Sequence, residues 1–211
     1  MSAPGTMSAP GFLPPTFVPG FHDEDAVRAM PYRRFGERWV SQLSYGASSF
    51  AGAYNGKPVD GAQARVIVHM AVRAGVNLLD TAPWYGHGKC EELLGEGLRG
   101  IPRSAYYLST KVGRYFPGPL ERFDFSYART ISSVTESLAR LGVEYIDTVQ
   151  VHDPEFAPSL DVVVNETLPA LEALRKQGKI RYIGITGYPL ATLRELAART
   201  PVKVDSAISY W

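Results

Sequence analysis

Short apolar, β-branched runs recur along the chain at residues 40–45, 76–79, 106–109, 145–151, 181–185 and 204–208. Each is of strand length, and between them the apolar spacing changes to that of a helix. Ile131, Val134, Leu138 and Leu141 share one helical face, as do Val164, Leu168, Leu171 and Leu174. After Pro189, which suits a first helical turn, Leu190, Leu193 and Leu196 do the same. Gly142 and Gly178 stand just past two of these helices, where a left-handed residue closes the last turn. Six β units with five intervening helices predict a parallel α/β fold, because parallel neighbours need crossover connections.

Two parallel architectures fit this alternation, a doubly wound sheet and a (β/α) barrel. The first needs a G-x-G-x-x-G turn after its first strand. The glycines at 46, 52 and 56 miss that spacing, and so do those at 86, 88, 95 and 97. A Rossmann dinucleotide domain is therefore disfavoured. Ahead of the alternation, residues 1–20 hold the near-duplication MSAPG-T-MSAPG followed by PP and PG steps, which predicts a disordered lead-in. Residues 21–38 read as an N-terminal extension, and residues 39–211 as the globular domain.

Composition narrows the function classes. With 211 residues, 45% of them hydrophobic, and a formal net charge of +1, the chain supports one sizeable core. That balance gives no footing for a nucleic-acid or membrane-surface partner. The single Cys90 excludes an internal disulfide and fits a reducing compartment. No run approaches the ~18 apolar residues of a spanning helix. The N-terminus lacks the basic and apolar regions of a secretory signal, so the cytoplasm is the expected location.

The chemistry is expected where the strands end. Asp80 follows VNLL, Lys111 follows YYLST, His152 follows DTVQV, Thr186-Gly187 follow YIGI, and Ser209 follows SAI. In a closed parallel barrel such residues converge on one face. Tyr85 adds a phenol from the loop after the second strand. An ammonium at Lys111 favours the phenolate, and Asp80 supplies the partner that a buried lysine needs. His152 is suited to hydrogen-bonding a substrate oxygen. Taken singly, each has an ordinary explanation: a helix cap for Asp80, a surface position for Lys111, a turn for His152, packing for Tyr85. Together at three successive strand ends they point to proton transfer coupled to hydride transfer, which implies a nicotinamide cofactor. Trp84 either lines a substrate wall or shields the loop. His87, Cys90 and His152 lack zinc spacing, so no metal is expected, and Cys90 reads as a small packing residue.

These residues lie in motifs that resemble the aldo-keto reductase superfamily. DTAPWYGHGKCEELLGEGL is similar to its D-T-A-x-x-Y-G-x-G-x-S-E-x-x-L-G signature, with Cys90 in place of the usual serine. STKVG resembles its lysine strand, VQVHDPEF its histidine strand, and IRYIGITGY its fifth strand. The resemblance runs from about Tyr32 to Trp211 and is nearest the L-galactose dehydrogenase-like branch, beside the sugar 1-dehydrogenases. Animal members of that branch share a lead-in similar to FVPGFHDEDAVRAMPYRRFG. The resemblance implies a (β/α)₈ TIM barrel, with Asp80, Tyr85, Lys111 and His152 as a catalytic tetrad. It implies NAD or NADP as cofactor, touched by Gly46, Ala47 and Ser48 and by Thr186, Gly187 and Ser209. Thr186-Gly187 stands where the family usually has Ser-Asn. A small carbonyl or sugar hemiacetal is the implied substrate, and a full-length member is expected to be a monomer. Only six β units are counted, so the expected barrel is C-terminally truncated. The competing expectation is a catalytically silent fragment that binds a partner.

Overall fold

The computed structural model describes residues 6–52, 56–118 and 122–209. A short helix, α1 (Glu24–Ala29), leads into an antiparallel hairpin of β1 (Tyr32–Phe35) and β2 (Arg38–Ser41). Six parallel strands follow: β3 (Tyr45–Gly46), β4 (Leu78–Asp80), β5 (Tyr107–Val112), β6 (Ile146–His152), β7 (Ile180–Thr186) and β8 (Ser206–Ile208). The crossovers carry α2 (Gly61–Arg73), α3 (Lys89–Leu98), α4 (Tyr127–Leu141), then α5 (Leu160–Val162) joined to α6 (Leu168–Lys176) by a π-helical stretch (Val163–Thr167), and finally α7 (Leu190–Arg199). Each parallel strand pairs with the next in sequence order, with no reversal. A doubly wound sheet reverses its order at a switch point, so this curled wall is of (β/α)₈ barrel type. Among the described residues β3 and β8 each pair on one side only.

Strand period sorts the side chains. Leu108, Val112, Val149, Val151, Ile183 and Ile185 are buried in one cluster with Val68, Leu94, Val134, Leu168 and Leu171 of the helices. Their alternates, Ser109, Lys111, Thr148, Gln150, His152 and Tyr182, occupy the concave face. Register places Ser109 beside Thr148, Lys111 beside Gln150, and Thr148 beside Tyr182. A parallel sheet covered on one face only thus keeps a polar layer inside the curve. The helices start and stop as their sequences dictate. Asp60 and Gln63 close a capping box on α2, Ser126 caps α4, and Gly142 (φ 67°) ends α4 in the left-handed region. No helix among the described residues is long and apolar enough to cross a membrane.

Three expectations change near the N-terminus. The first apolar run, residues 40–45, is not one strand: its beginning closes the hairpin and its end forms β3. The chain turns between them, where Ser41 Oγ donates to the Leu43 carbonyl at 2.6 Å. A boundary at residue 39 would cut this hairpin, which pairs Phe35 with Arg38. The lead-in expected to be disordered is held in place from residue 6. It has almost no regular structure, but Met7 bridges Arg33, Ser8 donates its amide to the Tyr32 carbonyl, and Phe12 packs 4.8 Å from the Trp39 ring. Its first five residues lie outside the described ones. Proline-rich composition accounts for the lead-in's lack of regular structure from residue 6 onward; it gave no warning that aromatic contacts would offset the entropy of ordering.

Asn77 ties these segments together. Its Oδ1 accepts from the Ser41 amide at 2.8 Å, and its Nδ2 donates to Thr16 Oγ1 and to the Trp39 carbonyl, both at 2.9 Å. Lead-in, hairpin and the approach to β4 therefore meet on one buried side chain. Asn77→Ala strands at least one buried amide, so a loss of about 2 kcal/mol or more is expected. Urea denaturation with an unchanged slope checks it; an unaltered midpoint would show that the three segments are held independently.

Candidate active site

Asp80 is the last residue of β4, Lys111 the penultimate residue of β5, His152 the last of β6 and Thr186 the last of β7. The sequence placed these groups after their strands; the strands run one to three residues further and carry them. Lys111 is 4% exposed, and its Nζ donates to Asp80 Oδ2 at 2.6 Å and to the Thr81 carbonyl at 2.8 Å. The same nitrogen lies 4.7 Å from the centre of the Tyr85 ring. That ring meets His152 edge-on, with centroids 5.9 Å apart and planes at 86°. The four groups thus form one cluster.

Local backbone explains how Tyr85 arrives there. A short 3₁₀ turn, Tyr85–Gly88, follows β4, and Gly86 and His87 both take positive φ within it, 59° and 53°. A Cβ on Gly86 would stand 2.4 Å from the Ala51 Cβ, so only glycine lets this loop pack on the one after β3. Gly88 (φ 93°) then opens α3, whose buried Glu91 accepts from Thr110 Oγ1 at 2.6 Å and from Arg140 Nε at 2.7 Å. The helix behind Tyr85 is therefore pinned to β5 and α4.

The electrostatics follow from burial and pairing. Burial depresses the Lys111 ammonium, but Asp80 and Tyr85 outweigh it and hold its pKa above the ordinary lysine value. The stability from that pairing is present below the unfolded lysine pKa and is lost above it. His152 goes the other way. Burial, helped by Lys111 and Arg114, pushes the imidazole down to about 2, so the ring is neutral at physiological pH. Its Nδ1 is buried with no hydrogen-bond partner.

Sequence reasoning missed several supporting residues. Gln150 donates Nε2 to Ser109 Oγ at 2.9 Å and to Asp80 Oδ1 at 3.3 Å, steadying the carboxylate from below. The signal was legible: Gln150 and Ser109 lie two residues before His152 and Lys111, on the same strand faces. Arg114 was not foreseen either. Its guanidinium covers Trp84 at 4.2 Å and pairs with Asp153 at 2.6 Å. Trp84 is half-buried, with His87 edge-on at 5.1 Å. Cys90 is buried and donates to the Ser48 carbonyl, a packing role, and His87 faces the Tyr115 carbonyl at 3.2 Å. Among the described residues no group of three or more His, Cys, Asp or Glu is placed to hold a metal.

The residues implied for a nicotinamide line the same rim. Gly46 pairs with Asp80, Ala47 and Ser48 open the following 3₁₀ turn, and Thr186 pairs with His152. Ser209 Oγ donates to the Tyr188 carbonyl at 3.2 Å, while Gly187 donates its amide to the Ile208 carbonyl. Two observations bear on whether such a group fits. A Cβ on Gly46 would meet nothing within 4 Å, so the backbone there is open to close approach. Beside Gly187, where a Cβ would lie 2.5 Å from Glu155 Oε2, that oxygen is buried and without a partner. An open backbone and an unsatisfied acceptor suit a flat carboxamide-bearing ring.

Comparison with known proteins agrees with the fold and the motifs. Residues 42–209 match the Aldo/keto reductase family. The chain is 44% identical over 174 residues to L-galactose dehydrogenase of Arabidopsis thaliana, covering 81% of this chain and 52% of that protein. It is 34% identical to D-threo-aldose 1-dehydrogenase of a Pseudomonas species, covering 69% of this chain and 50% of that one. Among solved structures, the aldo-keto reductase AKR11C1 from Bacillus halodurans, in its holo form, superposes with a TM-score of 0.72 at 32% identity, covering 86% of this chain and 58% of that one. The chain spans about half the length of the curated relatives it matches. On motif, fold and match together, it belongs to the Aldo/keto reductase family.

Proposed function

We propose that this chain carries the proton-transfer centre of an NAD(P)-dependent oxidoreductase acting on an aldose hemiacetal or a small carbonyl. The observation that supports it most is the Lys111 ammonium, held 2.6 Å from Asp80 and 4.7 Å from the Tyr85 ring. A cation fixed beside a phenol favours the phenolate, and a phenolate beside a substrate hydroxyl takes its proton. Asp80 and Gln150 keep the ammonium in place. His152, neutral and with one N–H to give, orients the substrate oxygen toward Tyr85. Trp84 forms the adjoining wall.

In oxidation of a hemiacetal, Tyr85 accepts the hydroxyl proton as the carbon–hydrogen electron pair departs. In reduction, Tyr85 returns that proton to the carbonyl oxygen. NAD or NADP, when bound, supplies the hydride acceptor or donor. Gly46, Ala47, Ser48, Thr186, Gly187 and Ser209 are the residues of this chain that would hold its nicotinamide end. The identity of the sugar dehydrogenase relatives favours aldoses as the substrate class.

The reading is tested with the 211-residue chain, NAD⁺ or NADP⁺, and a panel of aldoses that includes L-galactose. Tyr85→Phe should lower kcat about 100-fold or more while changing KM little; turnover unchanged in that variant would remove the phenol from the mechanism. A second outcome concerns acid stability. Because the His152 pKa is about 2 in the fold and near 6.5 unfolded, the unfolded chain binds one more proton between those values. Stability should therefore be full above pH 6.5 and fall below it by about 1.4 kcal/mol per pH unit from this group alone. His152→Gln should flatten that acid limb by one proton in denaturation experiments run at several pH values; an unchanged slope would mean the ring is protonated in the fold.

A further inference from the structure

Asp153 poses a problem for the histidine beside it. It is one of two non-glycine residues with positive φ among the described residues, at 54°, and the turn brings its Oδ2 to 3.8 Å from His152 Nε2. Both side chains are buried. A buried carboxylate next to an imidazole ordinarily captures its N–H and draws a second proton onto the ring. His152 would then be an imidazolium bound to Asp153, with no N–H spare for a substrate. Yet 3.8 Å lies beyond hydrogen-bond reach.

The reason is Arg114. Its Nη1 donates to the same Asp153 Oδ2 at 2.6 Å, and its guanidinium is seated on the Trp84 ring at 4.2 Å. Asp153 is fixed from its other side by its amide, which donates to the Thr186 carbonyl at 2.8 Å. Resting on the proton-transfer role given above, we propose that Arg114 is a positioning residue for His152. It occupies Asp153 and holds that carboxylate out of reach, so the imidazole stays neutral and keeps its N–H for the substrate oxygen. The guanidinium stands where a proton would otherwise sit.

The other charged and titratable groups facing this corner do not replace it. From β5, Lys111 is engaged by Asp80 of β4 and disfavours a positive ring. From the loop after β4, Tyr85 presents its ring edge-on to His152. From the turn after β6, Glu155 bears a second negative charge toward Asp153 and is tied to the Tyr188 amide at 2.9 Å. Burial pushes the Asp153 carboxyl up even with Arg114 beside it. Without Arg114 the pair Asp153 and His152 would gain a proton as one coupled unit. The chain of contacts also links four rim segments, Trp84 after β4, Arg114 after β5, Asp153 after β6 and Thr186 on β7, so substrate-wall and histidine positions are set together.

The test is nuclear magnetic resonance titration of the His152 ring in the full chain, with steady-state kinetics over the same pH range. The parent ring should show no titration between pH 8 and about pH 4. Arg114→Met should introduce a titration in that range, a rise of about 2 or more in pKa. Its kcat/KM should fall about tenfold for each pH unit below the new midpoint. Adding Asp153→Asn to that variant should abolish the new titration. The proposal is overturned if Arg114→Met gives no titration above about pH 4, or if the titration survives Asp153→Asn. Should Arg114→Met fail to fold, Arg114→Gln is read by the same criteria. A new titration without an acid limb in kcat/KM would leave the Arg114 shield standing and remove His152 from the proposed reaction.

Discussion

The buried ion pair of Lys111 with Asp80 is the constraint on which the site depends. An ammonium 4% exposed is not tolerated without a close anion, because its desolvation costs several kcal/mol. Asp80 meets that need only because β4 and β5 lie in parallel register, with Asp80 opposite Ser109 and Lys111 two residues further along the same face. Gln150, reaching across from β6, holds the second carboxylate oxygen. Three consecutive strands therefore fix one nitrogen, and the phenol of Tyr85 is set against it by a turn that requires glycine at 86. A pair of this kind is a weak source of net stability, and its value here is positional.

Around that pair, charge is kept local and balanced. Asp80 serves Lys111, Glu91 serves Arg140, and Asp153 serves Arg114, each at 2.6 to 2.7 Å. His152 sits between two of these pairs; burial and the positive charges of Lys111 and Arg114 disfavour a protonated ring, and the carboxylates of both pairs are already engaged. On the convex face the Glu91–Arg140 pair sits among Leu, Ile and Val of the strands, which pack on the helices, each such buried side chain contributing about 1.5–3 kcal/mol. Separation of an apolar outer face from a polar inner one lets a single wall bear both the core and the chemistry.

Much of this was legible from the sequence. The five longer β units were visible because their period-2 and period-3.6 segments alternate, and Asp80, Lys111 and His152 stood out because each follows an apolar run, with Tyr85 in the loop that follows Asp80. What escaped was fixed by tertiary contact. The run at 40–45 spans a hairpin strand, a turn and a barrel strand, and apolar content does not distinguish those three. The lead-in is ordered by ring contacts from Phe12 and hydrogen bonds to Asn77, partners distant in sequence. Arg114 and Asp153 look like ordinary surface charges until a left-handed residue at 153 turns the carboxylate toward the histidine.

The central claim is that the Lys111 cation is what allows Tyr85 to move a proton. It is tested most directly by the rate of reduced-nicotinamide formation in a single turnover of Lys111→Met, measured on folded protein that still binds NAD⁺ or NADP⁺. The expected result is a rate lower by about 100-fold or more with cofactor affinity retained. A rate equal to the parent's would contradict it, and would separate the buried pair from the chemistry it surrounds.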